Sequence, residues 1–185
     1  MNVPLTTTLD IDHDAPVISR EEITIDAPGD VVWNLHTDIN SWPSWRPDVN
    51  RAQLVGPFAV GTAFHWQTAG LDITSTIAQV VTGSRTIWGG PASGIDGVHI
   101  WEFTPQDDGT VVRTTESWNG DPVRANITAL QSALDASLQV WLRDLRRIRA
   151  PRARRRHLST CCAAMAGGIR VADWWPLDDG FCESL

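Results

Sequence analysis

Residues alternate from Val17 to Ala27, with Val17, Ser19, Glu21, Ile23 and Ile25 on one side and Ile18, Arg20, Glu22, Thr24 and Asp26 on the other, which predicts a strand. Ala27-Pro28-Gly29-Asp30 then turns the chain into a short helix, with Asp30 as N-cap and Val31, Val32 and Leu35 following. Pro43 and Pro47 limit the next stretch to one further helical turn. From residue 48 to 119 short apolar segments alternate with turn residues. They predict strands over Val49–Val55, Thr62–Ala69, Leu71–Val81, Arg85–Trp88, Val98–Thr104 and Thr110–Trp118, separated by Gly56-Pro57, Gly61, Gly70, Gly83-Ser84, Gly89-Gly90-Pro91, Gly94, Gly97 and Asp108-Gly109. Short links between consecutive strands favour an antiparallel meander. After Asp121-Pro122, an N-cap and a first-turn proline, the period changes. Val123, Ile127, Leu130, Leu134, Leu138, Trp141, Leu145 and Ile148 recur at gaps of three and four, which predicts one long amphipathic helix over 122–148. The order is α+β: one strand, one or two short helices, six strands and a long helix. A seven-stranded antiparallel sheet with one long helix buries both by curling around it.

Composition adds two features. All 15 basic residues are Arg, and the chain carries 10 Trp and no Tyr. So many indoles need a large core, a cavity, or both. The formal net charge of −7 disfavours nucleic acid as a partner. Charge is unevenly placed: residues 1–142 carry 6 Arg against 17 acids, and residues 143–156 carry 8 Arg against one Asp. Residues 1–16, polar and rich in Thr and Asp, read as a flexible arm; 17–149 read as the domain; 150–185 read as an Arg-rich, Cys-containing tail, poorly ordered. The tail run Pro151–Arg156 is open to three readings: a solvated charge run, a patch for an anionic partner, or out-of-frame sequence after a natural stop. Cys161, Cys162 and Cys182 match neither a CxxC redox motif nor a zinc site, and Ser159-Thr160 lacks a base for nucleophilic chemistry. No metal or cofactor is expected. No apolar run approaches the ~20 residues of a membrane span, and the first residues lack the pattern of a secretory leader, so the expected location is the cytoplasm. Stable membrane insertion is not expected; contact of Arg143–Arg156 with anionic lipid is opposed by the acidic body.

The order of motifs resembles a family. Ile25-Asp-Ala-Pro28, Asp38-Ile-Asn-Ser-Trp-Pro-Ser-Trp45, Gly61-Thr-Ala-Phe-His-Trp66, Val98-His-Ile-Trp-Glu-Phe-Thr-Pro105, Gly109-Thr-Val-Val-Arg-Thr-Thr-Glu-Ser-Trp118 and Trp141-Leu-Arg-Asp-Leu145 follow one another as in the SRPBCC (START / birch-pollen-allergen-like) superfamily. The chain is similar in particular to its polyketide cyclase/dehydrase-type bacterial members. The resemblance covers about residues 17–149. It implies a helix-grip fold: a curved seven-stranded antiparallel sheet wrapped around one long C-terminal helix, two short helices after strand 1, and a hydrophobic cavity between sheet and helix. It implies no single reaction, since members bind, carry or transform many apolar ligands.

Strand parity assigns the inward side chains. With Arg113, Glu102, His65, Asp72 and Arg85 facing water, the inward set includes Phe64, Trp66, Ile73, Ser75, Ile77, Thr86, Trp88, Trp101, Phe103, Val112, Thr114 and Trp118. Trp45 beside the short helices and Leu130, Leu134, Leu138 and Trp141 of the long helix complete the expected ligand pocket. Trp42 and Trp45 are candidates for gating or for plain packing. His36 is expected to be exposed, and His13 and His65 lie on the surface.

Two ionisable residues share the inner face, His99 and Glu116. A loop of four residues, 106–109, puts them directly opposite, and a two-residue Asp108-Gly109 turn makes them diagonal neighbours. Burial would raise the Glu116 pKa, and the carboxylate would raise that of His99. The pair reads either as an acid/base or substrate-orienting couple or as a hydrogen bond that fixes the sheet. Three functions remain open: a carrier or sensor of a small hydrophobic molecule (lipid, isoprenoid or polyketide-like); a metal-free cyclase/dehydratase in which His99 and Glu116 move the proton; or a regulatory or partner-docking domain. A carrier tolerates loss of either residue with changed affinity only, whereas a cyclase loses turnover with binding retained. Monomer and homodimer are both compatible with the chain.

Overall fold

A computed structural model describes residues 9–147. The order is β1 (Val17–Ile25), α1 (Gly29–Thr37), a 3-10 turn (Ile39–Ser41), α2 (Trp42–Trp45), β2 (Val49–Leu54), β3 (Ala63–Thr68), β4 (Leu71–Val81), β5 (Arg85–Ala92), β6 (Ile95–Gln106), β7 (Gly109–Asn119), α3 (Asp121–Ala125) and α4 (Ile127–Arg147). The seven strands form one antiparallel sheet in the order β1-β7-β6-β5-β4-β3-β2, with α4 packed on its inner side against β1. This is the helix-grip architecture. β1 pairs with β7, so the first strand joins the end of the sheet that leads into the helix.

The inner core is aromatic. Trp42 and Trp101 are fully buried, and Trp42 meets Phe64, Trp66 and Trp141 edge-on at centroid distances of 5.6, 5.9 and 4.9 Å. Such T-shaped pairs are stabilising beyond the area they bury. Leu134, Leu138, Val123 and Val17 form a second cluster under β1. Ile11 is buried against Ile87 and Ile100 on the outer face, and Asp12 N–H donates to Ser117 Oγ at 3.1 Å. Residues 9–16 of the expected flexible arm are therefore laid along the sheet. They explain why Ile87, Ile100 and Ser117, outward by parity, are buried.

Other expectations need correction. β5 runs on through Gly89-Gly90-Pro91, read above as a separator, with Gly89 opposite Val98 and Gly90 opposite Gly97. The glycines there serve close packing: a Cβ on Gly89 would lie 2.1 Å from the Gly97 carbonyl oxygen. The long helix is broken at Asn126 (φ −148°, ψ 52°), whose carbonyl accepts the first α4 bond from Leu130 N–H. Apolar spacing continues across the break, which is why the pattern reads as one helix. Ile127 lies on the exposed side. Neither Asp30 nor Asp121 caps its helix; Pro28 and Gly120 hold the N-cap positions, and both acids sit in the first turn beside the positive end of the helix dipole. The predicted helix end at Ile148, the tail 150–185 with its three cysteines, and residues 1–8 lie outside the described residues. Among the described residues no helix is long and apolar enough to cross a membrane.

Candidate functional site

A cavity of about 520 Å³ opens between the sheet and α4. Its floor comes from β3 to β7. Its helical wall is Ala133, Ala136, Ser137 and Val140, at gaps of three, one and three on one face of α4. Small residues here, and Gly89, Gly90 and Gly97 opposite, leave the space that larger side chains would fill. The rim includes the exposed Asp48, Ala69 and Leu71.

Of the residues expected at a pocket, Trp66, Ile73, Ser75, Trp88, Trp118, Leu130 and Trp141 line this cavity, as do His99 and Glu116. Phe64, Ile77, Trp101 and Phe103 point inward but are sealed in the core. The cause is Trp42, which α2 drives into the interior against Phe64, Trp66, Trp88 and Trp141, filling that half of the sheet. Leu134 and Leu138 turn toward β1, and the smaller residues of α4 face the cavity instead. Trp45 packs edge-on against Trp141 at 5.9 Å outside the cavity lining, and Thr114 is consumed in a hydrogen bond. Hydrophobicity ranked the long side chains first, whereas a cavity is bounded where side chains are short. Ala133, Ala136, Ser137 and the three glycines were missed for that reason, though the spacing of 133, 136, 137 and 140 carried the signal.

His99 and Glu116 are directly opposite across β6 and β7, because the strands turn at Asp107-Asp108 with Gln106 paired to Gly109. Glu116 Oε2 lies 3.2 Å from His99 Nδ1. On the other side His99 Nε2 stands 2.6 Å from Thr114 Oγ1, and the Thr114 hydroxyl donates to Ile100 O at 3.2 Å. Where the Thr114 hydroxyl gives its hydrogen to that carbonyl it accepts from His99 Nε2–H, and the lone pair on Nδ1 then faces a protonated Glu116. Trp118 Nε1–H donates to Glu116 Oε1 at 2.7 Å. The result is a chain of polar groups from the cavity wall to a backbone carbonyl.

Burial pushes the Glu116 carboxyl up to about 7, against the Trp118 hydrogen bond, which favours the anion. Burial likewise pushes His99 well below its ordinary value, with His36 and Arg46 adding to the effect. The expectation that Glu116 would raise His99 is thus corrected. A carboxyl that is itself protonated in acid offers the imidazole little negative charge, and desolvation prevails. Near neutral pH the pair is a neutral imidazole beside a carboxyl poised between its two states.

Two further buried polar side chains escaped the sequence reading. His36, expected to be exposed, is buried with its ring 4.6 Å from Trp101 and 5.2 Å from Phe103, and Nε2 stands 3.3 Å from Thr86 Oγ1. Burial pushes it down to about 3. Its i,i+4 spacing from Val32 places both on the buried face of α1 and would have located it. Arg46 is also buried: Nε donates to Asp48 Oδ1 at 2.8 Å, Nη2 donates to Oδ2, and Cζ lies 3.8 Å from the Trp141 ring centroid. Parity says nothing about a loop residue, so no pattern pointed to it. His65 is exposed and stands 2.9 Å from Thr74 Oγ1. Among the described residues no three His, Cys, Asp or Glu side chains cluster as metal ligands would.

Comparison with known proteins agrees with this architecture. Solved structures with the same fold include a hypothetical protein from Helicobacter pylori (TM-score 0.65, 18% identity, covering 77% of this chain and 98% of that one). A START superfamily protein from Mycobacterium smegmatis is similar with TM-score 0.62 and 9% identity over 70% of this chain and 94% of that one. The di-domain ARO/CYC StfQ from the steffimycin biosynthetic pathway matches at TM-score 0.59 and 18% identity, over 71% of this chain and 49% of its own length. Residues 16–148 match the model of one family, described as polyketide cyclase / dehydrase and lipid transport, and the chain belongs to that family.

Proposed function

We propose that this protein binds one small hydrophobic molecule in the cavity between sheet and α4, as a carrier or sensor. The observation that supports the reading is the cavity itself: about 520 Å³, walled mainly by indoles and small aliphatic groups, with the His99–Glu116 pair and a few hydroxyls at its wall. Sites for small organic ligands have this size and this sparse polarity. Trp66, Trp88, Trp118 and Trp141 supply flat apolar contact, and Glu116 and His99 orient a single polar group of the ligand.

A second reading, a cyclase/dehydratase, draws on the chain Glu116–His99–Thr114. A carboxyl at about 7 beside a neutral imidazole can deliver and recover a proton with little driving force lost. Cyclisation with dehydration needs an enolising base and a donor to the departing oxygen, and one Glu with one His supplies both.

The test is a titration of the full chain with N-phenyl-1-naphthylamine, a neutral apolar fluorophore, followed by quenching of Trp emission. The expected result is saturation at one probe per chain. Non-saturable quenching would refute the reading. Kinetics of His99→Ala and Glu116→Gln on any polyketide-like compound that displaces the probe divide the two readings: altered affinity alone marks a carrier, lost turnover with binding kept marks an enzyme.

A further inference from the structure

The chemistry of the ligand's polar end follows from which polar atoms of the wall are free. This step rests on the binding reading above. Three of the four indole donors at the cavity are committed or closed off: Trp118 Nε1–H to Glu116, Trp66 Nε1–H to Ser75 Oγ at 3.1 Å, and Trp88 Nε1 sealed from the cavity; the fourth, Trp141, is uncharged. The nearby cation is committed as well. Arg46 holds Asp48 with two of its nitrogens, lies flat on Trp141, and its remaining Nη1 is sealed. Among the described residues, the charged ones that line the cavity are Asp48 and Glu116, both acids. What stays open is an acceptor. Glu116 Oε1 takes one hydrogen bond from Trp118 and faces the notch left by Gly97, where an added Cβ would stand 3.7 Å from it and 3.6 Å from Trp118 Cδ1. A carboxylate oxygen has capacity for a second donor.

We infer that the cavity selects a ligand with an uncharged hydroxyl, seated in the Gly97 notch and donating to Glu116 Oε1, and rejects the same skeleton ending in a carboxylate. A hydroxyl finds an acceptor waiting. A carboxylate, which only accepts, meets another carboxyl and, among the described residues, no free cation to repay its lost hydration. The hydroxyls of Ser75 and Ser137 serve either partner and do not reverse the preference.

The test compares 1-decanol with decanoate, below their micelle-forming concentrations and above pH 7, as competitors of N-phenyl-1-naphthylamine on the full chain. The alcohol should displace the probe at least about tenfold more strongly. In Glu116→Gln, whose amide can donate to a carboxylate, that ratio should narrow. Decanoate competing as well as the alcohol, or a ratio unchanged by Glu116→Gln, would overturn the inference while leaving the binding reading intact. If the probe itself fails to saturate, the binding reading falls, and the inference with it.

Discussion

Glu116 makes the stability of the fold depend on pH in a direction opposite to an ordinary carboxylate, and Glu116→Gln isolates the effect. In the unfolded chain the group titrates near its ordinary value of 4.5, and in the fold at about 7. Between these values the folded state keeps a proton that the unfolded state has released, so stability falls as pH rises through the window. The gap of about 2.5 units, at about 1.4 kcal/mol per unit, amounts to about 3 kcal/mol by pH 7 and above. The side chain keeps only 15% exposure, so solvent screening takes little from this figure. Glutamine preserves the shape and never ionises. Relative to wild type, Glu116→Gln should show a constant stability offset below pH 4.5, a rising advantage up to about pH 7, and a plateau about 3 kcal/mol above that offset. Urea unfolding monitored by Trp emission at half-unit pH steps gives the difference directly. The difference cancels titrations common to both proteins. A flat difference curve, or one sloping the other way, would refute the buried and protonated carboxyl.

Three further outcomes are expected. Gly97→Leu should fold and lose probe binding, because its Cβ meets only ordinary contacts and its side chain enters the cavity, whereas Gly89→Ala should fold poorly, its Cβ colliding with the Gly97 carbonyl; thermal unfolding and probe titration of both variants check this. Thr114→Val should release the His99 tautomer, moving the imidazole nitrogen shifts in 15N NMR while the other backbone signals stay in place. His36 stays neutral in the fold down to about pH 3 and is protonated in the unfolded chain below 6.5, so stability is lost on acidification, and His36→Phe should remove about 1.4 kcal/mol of that loss per pH unit between those values, read by acid-induced unfolding.

The strands and the inward face were readable from residue types because period-two alternation is enforced wherever one side of a sheet is buried. Leu71–Val81 was bounded to the residue, and parity put His99 and Glu116 on one face, but of the two registers that the loop left open only the structure picks the directly opposed one. What residue types could not convey was depth. Trp66 and Trp101 are both inward indoles, yet one lines the cavity and the other is sealed, and the difference lies in where Trp42 lands. That position is set by a 3-10 turn and a four-residue helix, for which no periodicity exists. The same holds for Arg46, buried by a loop. The sign of the His99 shift also required three dimensions, because it depends on whether desolvation or a neighbouring charge prevails.

Whether the space between Gly97 and α4 is a ligand site is decided by a crystal structure of the full chain grown with N-phenyl-1-naphthylamine. One probe should lie inside the cavity, in contact with Trp66, Trp118 and Trp141 and within reach of Glu116. A saturably bound probe found elsewhere, with Trp66 and Trp141 folded into the cavity, would contradict it.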